Sequence, residues 1–154
     1  MAYADYEFYK NEYYGNLISE EAFERLISKA SDKLDYLSNY RVPRYIDSIV
    51  TEDTRDVVLK KLIAKATCYI AEQLYDIDIA LQIKRQSAGL EETNMGLRGK
   101  VITNISSGGE SVSFSNAITG NISEYVDNPK RLNRYLFDGI REYLGGSGLI
   151  SQAL

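Results

Sequence analysis

From Thr51 to about Gln86 the chain reads TEDTRDVVLKKLIAKATCYIAEQLYDIDIALQIKRQ, with neither glycine nor proline. The two residues that most readily interrupt a helix are missing, so the run predicts one long helix. Thr51 is placed to cap it, its hydroxyl accepting from a first-turn amide. Glu52 and Asp53 set negative charge against the positive end of the helix dipole. At about 100° per residue, Leu59, Ile63, Ala66, Ile70, Leu74, Ile77 and Leu81 fall on one stripe. Ala64, Cys68, Ala71 and Tyr75 form a second stripe roughly opposite, and Lys61, Lys65, Glu72 and Asp76 occupy the remaining arc. A helix that is apolar on two sides needs two layers of partners. The small residues of the second stripe suit a closely approaching backbone, either another helix of this chain or a neighbouring subunit.

Shorter elements flank this helix. Tyr3, Tyr6, Tyr9 and Tyr13 recur at helical spacing before Gly15-Asn16, which predicts a short helix with one aromatic face and a stop at the glycine. Ser19 is placed to cap a second helix, with Glu20 and Glu21 in its first turn. Phe23, Leu26, Ile27, Ala30, Leu34 and Leu37 make its apolar stripe, and its end is expected near Ser38-Asn39. Residues 40–50 contain Pro43, which disfavours helical geometry at Val42, so a connector with at most a short turn at 45–49 is expected. Residues 87–100, with Gly89, Gly96 and Gly99, read as a flexible excursion. Val101 to Ser115 alternates like a β-hairpin around Ser106-Ser107-Gly108-Gly109. Asn128 and Pro129 open a last helix whose buried stripe is Leu132, Tyr135, Leu136, Ile140, Tyr143 and Leu144. Gly145-Gly146 closes it. The tail 146–154, apolar at Leu149, Ile150 and Leu154, is too short to fold alone and either docks or stays disordered. The fold class expected is mainly α: a small helical bundle around one long central helix, with an inserted β-hairpin and flexible loop. One domain is expected over 1–154, with a helical core at about 19–86 and 128–145 and the loop and hairpin at 87–127.

Composition narrows the function. The chain has no histidine, which removes the commonest general base and metal ligand, so catalysis and bound cofactors or metals are not expected. Cys68, the only cysteine, is flanked by apolar residues and reads as a buried structural thiol. Adjacent acids at Glu20/Glu21, Glu52/Asp53 and Glu91/Glu92 read as helix starts or solvated charge. A net charge of −4 gives no bulk attraction to nucleic acid or anionic membrane. The opening MAYADYEFYK lacks the basic start and apolar core of a signal peptide, and no apolar run is long enough to span a bilayer, so first use in a cytoplasm is expected. Thirteen tyrosines beside four phenylalanines and no tryptophan suit partly wet contacts between subunits, or simply half-buried surface. The Ser-Gly-Gly turn has neither the lysine nor the following helix of a phosphate loop.

Three segments carry a resemblance. YEFYKNEYYGNLISEEAFERLISKASDKLDYL resembles the start of the head–tail connector (adaptor) proteins of tailed bacteriophages, where an aromatic segment and a Gly-Asn turn precede an acidic-capped helix. GKVITNISSGGESVSFS is similar to that family's serine- and glycine-rich hairpin, and IREYLGGSGLI to its terminal helix and tail. The segments span almost the whole chain in the family's order. The resemblance implies a non-enzymatic virion protein that forms a ring, commonly of twelve subunits, beneath the portal protein. Such a ring extends the channel for double-stranded DNA, without sequence-specific binding, and seats a stopper or tail-completion protein at the neck. A net-negative chain suits a channel through which DNA must slide. On this reading the candidate subunit and partner contacts are Ser107, Gly108, Gly109, Val112 and Phe114 of the hairpin, Gly148, Leu149 and Ile150 of the tail, and Tyr75 on the long helix. The alternative is a small nucleic-acid-binding regulator using Lys130, Arg131, Arg134 and Arg141.

Overall fold

A computed structural model describes residues 2–87, 105–107, 110–112, 125 and 128–150. The architecture is mainly α: α1 (Tyr6–Asn11), α2 (Glu20–Leu37), α3 (Arg41–Ser48), α4 (Thr54–Ser87) and α5 (Pro129–Leu144). Two three-residue segments, β1 (Ile105–Ser107) and β2 (Glu110–Val112), pair antiparallel with Ile105 opposite Val112 and Ser107 opposite Glu110. The hairpin expected over Val101–Ser115 falls largely outside the described residues, as do all of residues 88–100. The chain divides into two compact units, Met1–Tyr75 with Lys130–Leu154, and Asp76–Pro129.

The long helix starts three residues later than Thr51. Asp53 supplies the cap instead: its Oδ1 accepts from the amide of Asp56 at 2.8 Å, and Asp56 Oδ2 accepts in return from the amide of Asp53 at 3.2 Å. This is a reciprocal capping box, with aspartate where glutamate is usual, and it satisfies two first-turn donors that Thr51 could have served only singly. Asp56 also accepts the hydroxyl of Tyr45, which ties α3 to the start of α4. That bond is the main cause holding the Asp56 carboxyl below its ordinary range and pushing Tyr45 up to about 12.

α3 corrects the expected connector. Pro43 sits in its first turn, where the missing amide leaves no intrahelical bond unmade. Asn39 (φ 53°) and Tyr40 (φ 56°) both adopt left-handed backbone between α2 and α3. The amide of Tyr40 returns to the carbonyl of Asp35 at 2.8 Å, a closing bond of the Schellman type. The reversal is thus completed before Val42, which is fully buried.

One apolar cluster unites the first unit. It takes Phe23, Leu26, Ile27, Ala30, Leu34 and Leu37 from α2 and Leu59, Ile63, Ala66 and Ile70 from α4. Leu136, Phe137, Ile140 and Leu144 join from α5. Each fully buried aliphatic side chain contributes about 1.5–3 kcal/mol relative to exposure. The second stripe of α4 is buried too, at Ala64, Cys68 and Ala71. On that side the N-terminal segment is fastened to α4. Tyr9 and Tyr13 donate their hydroxyls to the two carboxylate oxygens of Glu72, at 2.8 and 3.2 Å. Ala64, Cys68 and Ala71 are thus enclosed within this chain, while Tyr75 of the same stripe is partly buried.

α1 is capped by Asp5, which accepts from the amide of Phe8 at 2.8 Å. It ends at Asn11, earlier than the glycine suggested. Tyr14, not Gly15, takes the left-handed conformation (φ 62°). Gly15 is required for space: a Cβ there would fall inside the Tyr9 ring. Gly139 on α5 is similar, because a Cβ would collide with the ring of Tyr69 on α4. The absent side chain leaves room for that ring against α5.

Candidate interaction surface

The contacts expected from the sequence divide between surface and core. Ser107 and Val112 belong to β1 and β2, while Gly108, Gly109 and Phe114 lie outside the described residues. Tyr75 is partly buried against the apolar cluster. Gly148 is exposed with φ 75°, and its carbonyl accepts from Arg41 Nη1 at 3.4 Å. Leu149 and Ile150 depart from expectation. Both are 7% exposed and belong to the core of their own unit, so they are not available to a partner in this arrangement. The turn that brings them back is built by Ser147, whose Oγ donates to the carbonyl of Leu144 at 2.6 Å and accepts the amide of Leu149 at 3.1 Å. Once Gly145 ends the helix, this turn aims two apolar residues inward, and their burial offsets the ordering cost.

What the surface offers is a cleft of about 490 Å³ between the end of α2 and the outer face of α5. Lys130, Arg134 and Arg141 line it, with Asp138 as the one carboxylate on its wall. Intervals of four, four and three residues put Lys130, Arg134, Asp138 and Arg141 on one side of α5. Phe137 and Tyr36 also line it; Phe137 is 4% exposed and Tyr36 57%. Lys33 Nζ lies 5.6 Å from the centroid of the Tyr36 ring, adding a further cation beside the rim. Desolvation lowers the pKa of this lysine. Asn133 completes the wall. Its Oδ1 is buried and, among the described residues, is the one buried side-chain oxygen or nitrogen left without a hydrogen-bond partner. An orphaned buried acceptor costs about 1–3 kcal/mol.

The sequence marked Lys130, Arg131, Arg134 and Arg141 as outward-facing, and all four are exposed. It gave no sign of Asn133 or Tyr36. Asn133 reads as an ordinary polar helix residue until its oxygen is seen to be enclosed, and Tyr36 comes from 94 residues earlier than Lys130, the first cation of the cleft.

The other end of α2 carries the opposite charge. Glu20, Glu21 and Glu24 are exposed there within an arc of about 100°. Ser19 occupies the N-cap position with extended backbone (φ −71°, ψ 158°) but makes no side-chain cap bond. The first-turn amides therefore have no acceptor in the Ser19 side chain. Tyr14 and Leu17, 81% and 50% exposed, flank this end with apolar surface.

Cys68 offers no chemistry to this surface. It is fully buried, and desolvation, with Glu72 and Asp5 adding to it, pushes its thiol up to about 12, so it stays protonated at neutral pH. No helix among the described residues is long and apolar enough to cross a membrane. Comparison with protein-family models, with curated proteins and with solved structures gives no match for this chain.

Proposed function

We propose that this chain is a head–tail connector (adaptor) subunit of a tailed bacteriophage. It forms a ring beneath the portal, extends the DNA channel and seats a stopper or tail-completion protein, without catalysing a reaction. The observation that carries the reading is the order of three segments along one chain: the aromatic opening with its acidic-capped helix, the Ser-Gly-Gly hairpin region, and the terminal helix with GGSGLI. The mainly helical fold is compatible with that role. In this reading the 87–127 insertion, with its hairpin, contacts neighbouring subunits, and the protein resides in the virion neck after assembly in the host cytoplasm. Heterologous contacts, in which one face of a subunit meets a different face of the next, are what a ring requires.

Electron microscopy of purified virions with this subunit labelled tests the proposal. Label at the neck, and tail-deficient particles when the chain is absent, are the expected outcomes. Label elsewhere, or normal virions without the chain, would sink it.

A second reading, a nucleic-acid-binding regulator, draws on the grouping of Lys130, Arg134 and Arg141 on one cleft. It predicts a salt-dependent gel shift with duplex DNA, and no shift at low salt removes it.

A further inference from the structure

We propose that Tyr9 and Tyr13, whose hydroxyls meet on the two carboxylate oxygens of Glu72, form a one-electron redox site that draws oxidising equivalents inward from the protein surface. The site is independent of the connector reading. A phenol that loses an electron becomes a strong acid, so the electron leaves readily only where a base stands within hydrogen-bonding reach of the hydroxyl. Glu72 is such a base, at 2.8 Å from the Tyr9 hydroxyl and 3.2 Å from that of Tyr13. The two rings stack, with centroids 5.8 Å apart and planes inclined by 20°, so an unpaired electron can pass between them. Tyr9 is fully buried, which keeps its radical from coupling with a second chain.

A line of tyrosines leads from this pair to solvent. The Tyr13 hydroxyl is within hydrogen-bonding reach of Tyr143. Tyr143 and Tyr69 have ring centroids 6.2 Å apart. Tyr69 is hydrogen-bonded to Tyr135, which is 38% exposed and donates to Gln73 Oε1 at 3.0 Å. All of these residues belong to the first unit. The oxidant is an organic peroxyl radical. It takes one electron, passed outward through Tyr143, Tyr69 and Tyr135, together with a proton from solvent, and departs as a hydroperoxide. The phenol proton of Tyr9 or Tyr13 moves to Glu72, leaving a neutral tyrosyl radical beside a carboxylic acid. Gln73 and water are far weaker bases than a carboxylate, so the radical settles at Glu72 rather than at Tyr135. Tyr3 and Tyr45 also donate to carboxylates, those of Asp35 and Asp56. Among the described residues, however, neither ring contacts another tyrosine, and the line from Tyr135 does not lead to them.

The experiment exposes the full chain to alkylperoxyl radicals, made by photolysis of a water-soluble azo initiator in aerated buffer. Freeze-quench electron paramagnetic resonance follows the tyrosyl radical, and fluorescence follows dityrosine formed between chains. The wild-type chain is expected to give a long-lived tyrosyl radical and little dityrosine. In Glu72→Gln the amide still accepts hydrogen bonds but takes no proton. The long-lived signal should then fall about tenfold or more, since a positioned base speeds proton transfer about 10²–10⁴-fold. Tyr69→Phe and Tyr135→Phe interrupt the line but leave Glu72 and its two partners in place. Both should lose most of the long-lived signal and form more dityrosine through Tyr14, Tyr36 and Tyr40, the most exposed tyrosines among the described residues. No long-lived radical in the wild-type chain, or one undiminished in folded Glu72→Gln, would overturn the site. A signal undiminished in Tyr69→Phe and Tyr135→Phe would overturn the path from the surface. If Glu72→Gln does not fold, Tyr135→Phe, at an exposed position, carries the test, and an unchanged signal there overturns the proposal.

Discussion

The hydroxyl of Tyr9 donates to one carboxylate oxygen of Glu72 at 2.8 Å, joining residues 63 apart in the chain. The same hydroxyl accepts the amides of Leu17 at 3.1 Å and Ile18 at 3.3 Å. All three of its hydrogen-bonding positions are therefore used. One buried phenol holds the loop before α2 and fixes that loop to the middle of α4.

Tyr9→Phe keeps the ring and removes these bonds. It leaves two amides and a carboxylate oxygen short of partners, which should cost about 2 kcal/mol, as for hydrogen bonds to a charged group. Urea unfolding measures the loss. In a double-mutant cycle with Glu72→Ala, the coupling should be of order 1 kcal/mol. Strictly additive effects would mean that the pair contributes nothing jointly.

The alkaline limb of stability should carry the same signature. Burial first, and then the hydrogen bond to Glu72, raise the Tyr9 hydroxyl from 10.0 to about 12. The folded state thus favours the neutral phenol. The contribution is complete below the unfolded value of 10.0 and is lost as pH rises through about 12. Tyr3, Tyr13 and Tyr69 are raised in the same direction, each chiefly by desolvation, so the decline should continue beyond that window. Denaturant midpoints measured against pH should fall less steeply in Tyr9→Phe than in the parent. Identical slopes would remove Tyr9 from the account.

Gly15→Ala should destabilise by about 1–3 kcal/mol, because a methyl group has to displace the buried Tyr9 ring. Gly146→Ala is the matched control. Nothing lies within 4 Å of the position its Cβ would take, so a change within about 0.5 kcal/mol is expected. Thermal unfolding of both variants distinguishes a glycine kept for space from one that only ends a helix.

Leu149→Ala/Ile150→Ala should lower stability by about 2–4 kcal/mol, as for cavities opened in a packed core. If these side chains instead serve a partner, the isolated variant would unfold at the parent temperature and only assembly would suffer. The melting temperature of the free chain separates the two.

Much of the helical layout was legible because it rests on local rules. The Phe23–Leu37 stripe is buried throughout, and α5 begins at Pro129 and ends before Gly145, as the sequence indicated. The errors came where two local signals competed. Thr51 and Asp53 are both acceptable caps, and the reciprocal bond with Asp56 favours the latter. Pro43 read as a breaker, yet it falls in the first turn of α3, where it breaks nothing. Phe137 was missed in the α5 stripe, although it is buried with Leu136 and Ile140. The cleft was half legible: helical spacing gathers its cations, but the enclosure of Asn133 and the approach of Tyr36 depend on contacts between distant segments. Leu149 and Ile150 looked like a free apolar end because nothing local announces the Ser147 turn that folds them inward.

The bond between Tyr9 and Glu72 also has a consequence for the order in which the protein is made. During synthesis at about 5–20 residues per second, Tyr9 waits roughly 3–13 s after it is made before its partner, 63 residues later, exists. Leu149 and Ile150, which finish the same core, come later still. The first unit is therefore sewn shut from both ends of the chain. Until Glu72 has been made, the aromatic opening lacks the carboxylate that fastens it and is an unsheltered nascent segment.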